Sequence, residues 1–258
     1  MENFDIQKEN GMAVSCVSEI PAGPAGIVIA LHGFMSSKEA PMYQLLRERF
    51  PEKGFGVICP DLPGHGTGAS ADETLRIPAA LDSIAAVERH ALLRYPSCEI
   101  CYFGSSFGAY LIGLYISTRE HAGRKAFFRS AAVNMSQLFI REDPTEEEKQ
   151  MLRDLRSKGY FEMGSEGESV RLTKEMFTDL IFTDLFKMFD PGRFGEHSVA
   201  MAHGEVDEVI DPAAAKEFAA RFHIPLTLFP GEGHSLFGDP AVPERVIDLA
   251  VSLYRGVS

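Results

Sequence analysis

The chain has no tryptophan, only four cysteines in 258 residues, no long apolar run, and fewer basic than acidic groups. Each scarcity excludes something. Cys16, Cys59, Cys98 and Cys101 are too few and too scattered to staple a chain of this length, which rules out a disulfide scaffold and predicts a reduced, cytoplasmic protein. Cys98 and Cys101 form a C-x-x-C, but with no second pair and no Trp or Gly-Pro spacer it argues against redox or zinc chemistry, and no metal or cofactor is expected. Residues 27–31 make the longest early apolar run, far short of the ~20 residues that cross a bilayer, so no membrane span is expected. The polar residues 1–11 lack the apolar stretch of a signal peptide. With 25 Lys and Arg against 37 Asp and Glu, the net charge of −12 opposes binding to nucleic acid or anionic membranes. What remains, 45% apolar and 24% charged, is the composition of one large globular domain.

Extended and helical patterns alternate along the chain. Two leading strands are expected over 4–8 and 12–18, where apolar and polar residues alternate. Short runs that are apolar at nearly every position follow at 26–31, 56–59, 99–103, 126–133, 198–202 and 225–229. Strands buried on both faces belong to parallel sheets. Helical patterns at 43–50, 79–95, 109–119, 213–222 and 244–254 separate them. The fold class is therefore α/β, a mostly parallel sheet flanked by helices, whose ligands sit at the carboxyl ends of the strands.

Residues 136–193 interrupt the alternation and read as a cap inserted into a core formed by 1–135 and 194–258. Asp143 is expected as the N-cap of its first helix, with Pro144 at the first position, Glu146 to Glu148 in the first turn and Gly159 as the stop. A hairpin of 160–163 and 170–172 should follow, then one helix over 174–189. Phe177, Ile181 and Phe182 on that helix, together with Met35, are candidates for a substrate pocket.

The strand at 99–103 runs into Gly104-Ser105-Ser106-Phe107-Gly108 and then a helix, the strand-turn-helix context that G-x-S-x-G requires. Ser106 is the candidate nucleophile. A serine hydroxyl needs a base within hydrogen-bond reach, and the base needs a carboxylate to fix its tautomer. Asp207, in the loop after the 198–202 strand, and His234, after the 225–229 strand, supply both in chain order. The strand at 26–31 ends in His32-Gly33-Phe34-Met35, from which an oxyanion-stabilising amide can come. The backbone N–H groups of Phe34 and Phe107 are the candidates, with His32 and Gly33 shaping the loop.

Together with Asp61-Leu62-Pro63-Gly64-His65-Gly66, Gly204-x-x-Asp207 and Gly233-His234, these segments resemble the α/β-hydrolase superfamily from about Met12 to the end of the chain. The single-glycine H-G-F loop is similar to that of small bacterial esterases, the cinnamoyl, feruloyl and lysophospholipase-like branch with a compact cap. Phe107 departs from the Gln, Met or Leu common after the nucleophile. The resemblance implies a serine carboxylesterase (EC 3.1.1) acting on small-molecule esters with small to medium acyl or aryl groups. Serine at 106 disfavours the dehalogenases and epoxide hydrolases, which use aspartate. Alternatives on the same scaffold are a peptidase or amidase, with Glu142, Asp143 and Glu146 to Glu148 receiving a substrate amino terminus, and a thioesterase. A non-catalytic ligand-binding relative would be expected to lack a triad member. Homodimerisation stays open.

Overall fold

The computed structural model describes residues 1–139, 145–165, 168–195 and 198–256. In chain order the core is β1 (Glu2–Gln7), β2 (Ala13–Glu19), β3 (Gly26–Leu31), α1 (Pro41–Glu52), β4 (Phe55–Pro60), α2 (Ile77–Arg94), β5 (Glu99–Ser105), α3 (Phe107–Thr118) and β6 (Gly123–Arg129). Then come α4 (Met135–Phe139), α5 (Glu146–Ser157), the strands β7 (Tyr160–Ser165) and β8 (Glu168–Thr173), α6 (Lys174–Phe182) and α7 (Leu185–Met188). The core resumes with β9 (Val199–Gly204), α8 (Pro212–Arg221), β10 (Leu226–Phe229) and α9 (Val242–Arg255).

Eight strands form one sheet in the order β1-β2-β4-β3-β5-β6-β9-β10, parallel from β4 onward, with β1 and β2 paired antiparallel at one edge. β3 and β4 are buried at every position, which their unbroken apolar sequences anticipate. α1 and α9 cover one face. α9 is amphipathic, with Val242, Val246, Ile247, Ala250, Val251 and Tyr254 turned inward, and it closes on Gly256 in the left-handed conformation. α2, α3 and α8 cover the other face, where Phe218 of α8 packs with Phe186 and Phe189 of the inserted segment.

The chain steps from β3 to β4 on one side and returns to place β5 on the other, so the order reverses at β3. The adjacent carboxyl ends of β3 and β5, with Leu31 opposite Gly104, are the switch point where open α/β sheets place ligands.

Three expectations are corrected. The strand expected over 126–133 ends at Arg129, because Ser130 turns out of the sheet at φ +45° although Ala131, Ala132 and Val133 continue the apolar run. The helix expected over 174–189 is two helices: Asp184 caps α7 by accepting from Phe186 N, and Tyr110 Oη donates to the Thr183 carbonyl in the break. Asp143 and Pro144 lie outside the described residues. α5 begins at Glu146 with Thr145 as its cap, in a reciprocal box with Glu148.

Candidate active site

Ser106 stands alone between β5 and α3 at φ 52° and ψ −114°, a conformation that costs a non-glycine residue on the order of 1–3 kcal/mol. The turn is possible because glycines flank it. A Cβ on Gly108 would lie 2.2 Å from the Leu31 carbonyl oxygen, and one on Gly104 would lie 2.5 Å from Ala109 Cα. Backbone holds the strained residue: Ser106 N donates to Arg129 O at 2.9 Å, and Ser106 O accepts from Ala132 N at 3.2 Å. The side chain is half-buried.

Asp207 lies in the loop after β9 and is buried. Its Oδ1 accepts from the amides of Val209 (2.9 Å) and Ile210 (2.8 Å), and its Oδ2 lies 2.8 Å from His234 Nδ1. Burial works against the charged carboxylate. The hydrogen bonds from His203, His234 and Ile210 N outweigh it and hold Asp207 below the usual carboxylate range. Because Nδ1 of His234 faces only a carboxylate, it carries the proton, which leaves Nε2 as a lone pair able to accept one. The His234 backbone is fixed at both ends, its N–H donating to Glu208 Oε2 (3.2 Å) and its carbonyl accepting from Ser130 Oγ (2.9 Å). Among the described residues no hydrogen bond joins Ser106 Oγ to His234. The two are linked instead through residues 130–132, and such contacts often tighten only with substrate bound.

The loop after β3 passes over Ser106: a Cβ on Gly33 would lie 3.3 Å from Ser106 Cβ. Two buried histidines clasp it. His32 Nε2 accepts from Leu62 N at 3.0 Å, and His65 Nε2 accepts from Met35 N at 3.2 Å, so each of the two loops after β3 and β4 holds an amide of the other. Their Nδ1 atoms sit 2.8 Å from Gly33 O and 2.9 Å from Pro63 O and therefore carry the protons. Burial lowers His32 to about 4 and His65 to about 3. Asp61 reinforces the clasp by accepting from Lys38 N (2.7 Å) and Lys38 Nζ. Phe34 follows Gly33 in this loop. Phe107 is the first residue of α3, where the N–H has no intrahelical acceptor and the helix dipole is positive. Their rings meet edge to face at 6.0 Å.

Met35, 42% exposed, borders a cleft of about 490 Å³ between the β3–α1 loop, His65 and Val170 of β8. Phe177 does not line this cleft. It packs edge-on against Phe139 (6.0 Å), which packs against Phe34 (5.6 Å), so an aromatic chain runs from α6 to the loop over Ser106. Ile181 and Phe182 are 59% and 75% exposed and do not line the cleft either. Val206, Val209 and Phe237, also exposed, make the loops around Asp207 and His234 apolar at the surface.

Sequence reasoning passed over two buried residues. Arg129 carries its guanidinium 5.9 Å from the Phe237 ring, with no partner for Nε among the described residues. Burial disfavours its charge, and Asp207 and Tyr43 favour it. His203 contacts Asp207 directly. Its place in His203-Gly204-x-x-Asp207, four residues from the carboxylate, was the available signal. Among the described residues no cluster of side chains could hold a metal ion, and no helix is long and apolar enough to cross a membrane. The four cysteines are free, and burial raises Cys101 to about 12, far from a reactive thiolate.

The family model described as "Alpha/beta hydrolase family" matches residues 28–249. The chain belongs to the alpha/beta hydrolase family. The family member is also similar in structure to Est1E from Butyrivibrio proteoclasticus, with a TM-score of 0.76 and 16% identity over 99% of this chain and 100% of that one. Est1E with ferulic acid bound matches at a TM-score of 0.77 and 18% identity over 98% and 99%. A thermostable carboxyl esterase from Bacillus coagulans matches at 0.69 and 15% over 99% and 98%. At these identities the likeness is one of fold. No curated protein matches the sequence. This alpha/beta hydrolase therefore has esterases among its structural neighbours.

Proposed function

We propose that the protein is a serine hydrolase that cleaves carboxylic esters with small to medium acyl or aryl groups. The observation that carries this reading is Ser106 at φ 52° on the strand-to-helix turn, on the sheet edge where Asp207 orients His234. Ser106 Oγ attacks the ester carbonyl while His234 Nε2 takes its proton, and Asp207 stabilises the imidazolium without accepting that proton. The carbonyl oxygen, now an anion, is received by the N–H groups of Phe34 and Phe107, each worth roughly 3 kcal/mol in such a site. Collapse breaks the bond to the alcohol oxygen, which leaves with the proton from His234. Water then repeats the cycle on the acyl-serine and releases the acid. The described residues of the 136–193 insertion serve as a cap over this edge, and the aromatic chain through Phe139 to Phe177 gives the acyl side an apolar wall. The neighbour that holds ferulic acid supports an aryl acyl group.

A fluorophosphonate probe should label the protein on Ser106, and Ser106→Ala should remove both the label and about 10⁴-fold or more of the turnover of p-nitrophenyl and aryl esters. Labelling that survives the substitution overturns the nucleophile. Faster turnover of peptide anilides or thioesters than of esters overturns the substrate class.

A further inference from the structure

Asp207 serves two imidazoles. Its Oδ2 lies 2.8 Å from His234 Nδ1 and 3.0 Å from Nε2 of His203, which sits near the end of β9 with its side chain wholly buried. Nε2 of His203 faces only acceptors, Asp207 Oδ2 and the Ile210 carbonyl at 3.2 Å, so it carries the proton and donates. Nδ1 has no partner among the described residues. A dry, unpartnered ring nitrogen is a cost that an apolar side chain would avoid, and the preceding residues Met201 and Ala202 are apolar. Packing alone therefore does not account for an imidazole here, whereas its one N–H does.

The Asp207 carboxylate shows what that N–H accomplishes. The amides of Val209 and Ile210 both bind Oδ1 and fix one oxygen. The plane of a carboxylate needs a second fixed point, and His203 supplies it at Oδ2, the oxygen nearer to His234 Nδ1 (2.8 Å, against 3.1 Å for Oδ1). Resting on the serine-hydrolase reading above, we propose that His203 is a positioning residue, whose Nε2–H locks the Asp207 carboxylate plane so that Oδ2 faces His234 Nδ1.

His203→Leu removes the donor, and His203→Gln keeps an amide N–H at a similar reach. For p-nitrophenyl acetate, His203→Leu should lower kcat on the order of tenfold to hundredfold, by analogy with the loss of an outer partner that orients a metal ligand. KM should stay within about twofold, and His203→Gln should recover most of the rate. The downfield proton resonance of the His234 Nδ1–H bond should weaken in the Leu variant and return in the Gln variant. Equal losses in both variants, or a loss confined to KM, overturn the proposal. Should the variants not fold, ¹⁵N-histidine spectra of the unaltered protein decide: a proton on His203 Nε2 supports the proposal, and one on Nδ1 overturns it. Failure of the wild type to react with a fluorophosphonate would instead overturn the hydrolase reading, and the tautomer spectrum would still decide the His203 bond.

Discussion

His32 and His65 show how single residues determine the geometry over Ser106. Each offers Nε2 as an acceptor to an amide of the neighbouring loop, so protonating either ring turns that acceptor into a donor and breaks the clasp. Burial puts their folded values at about 4 and about 3, whereas a histidine in the unfolded chain titrates near ~6.5. Between those values the unfolded state binds more protons, so stability rises with pH there. Their contribution is complete above about pH 6.5 and is lost as pH falls toward the folded values. The melting temperature should thus drop between pH 7 and pH 4, by the equivalent of about 1–3 kcal/mol for each ring. His65→Gln, whose amide oxygen can still accept from Met35 N, should flatten the slope in a thermal-shift series. An unchanged slope in that variant would count against the clasp.

At the scale of elements, the elbow depends on how closely α3 can approach β3. The Cβ of Gly108→Ala would meet two backbone oxygens, those of Leu31 at 2.2 Å and His32 at 2.6 Å, and backbone cannot move aside as a flexible side chain can. Gly108→Ala should cost on the order of 3 kcal/mol in denaturant unfolding and remove ester turnover, because relief requires moving either the Ser106 turn or the loop that carries Phe34. The buried strands were legible from their unbroken apolar runs, because burial on both faces leaves no polar position. The break at Thr183 and Asp184 was not, since the apolar stripe from Phe177 to Met188 reads as one helix. Hydrogen bonds from Tyr110 to Thr183, across 73 residues of chain, accompany that break.

For the molecule as a whole, the described residues in the second half of the segment between β6 and β9 make a series of polar and apolar contacts with the core. Asp179 of α6 receives a two-pronged grip from Arg76 (2.6 and 2.8 Å) and the N–H of Ile77 (3.1 Å), next to the start of α2. Thr183 meets Tyr110, Asp190 N donates to Ser117 Oγ (3.1 Å), and Leu185 fills the space above Gly113. Asp179→Ala frees the Arg76 guanidinium to water, which is about a third exposed already, so global stability should fall by only about 1 kcal/mol. The same variant should speed limited proteolysis within residues 136–182 severalfold and change KM for bulky esters more than for acetate. Unchanged proteolysis would show that Asp179 does not hold the segment down.

The sequence by itself determined the α/β class, the long insertion and the order of the serine, aspartate and histidine, because these depend on periodicity and on motifs a few residues long. Ser106 was legible as the residue on the turn, since glycines at 104 and 108 have a local backbone reason. Tertiary structure alone decided that Asp207 serves His203 as well as His234, that Arg129 lies buried beside Phe237, and that His32 and His65 exchange amides across two loops. It also turned Ile181 and Phe182 outward from a stripe that read as pocket lining. The physical reason is common to all of these. A side chain's partner is whatever the packed sheet brings against it, and the sheet joins carboxyl ends of strands that lie far apart in the chain.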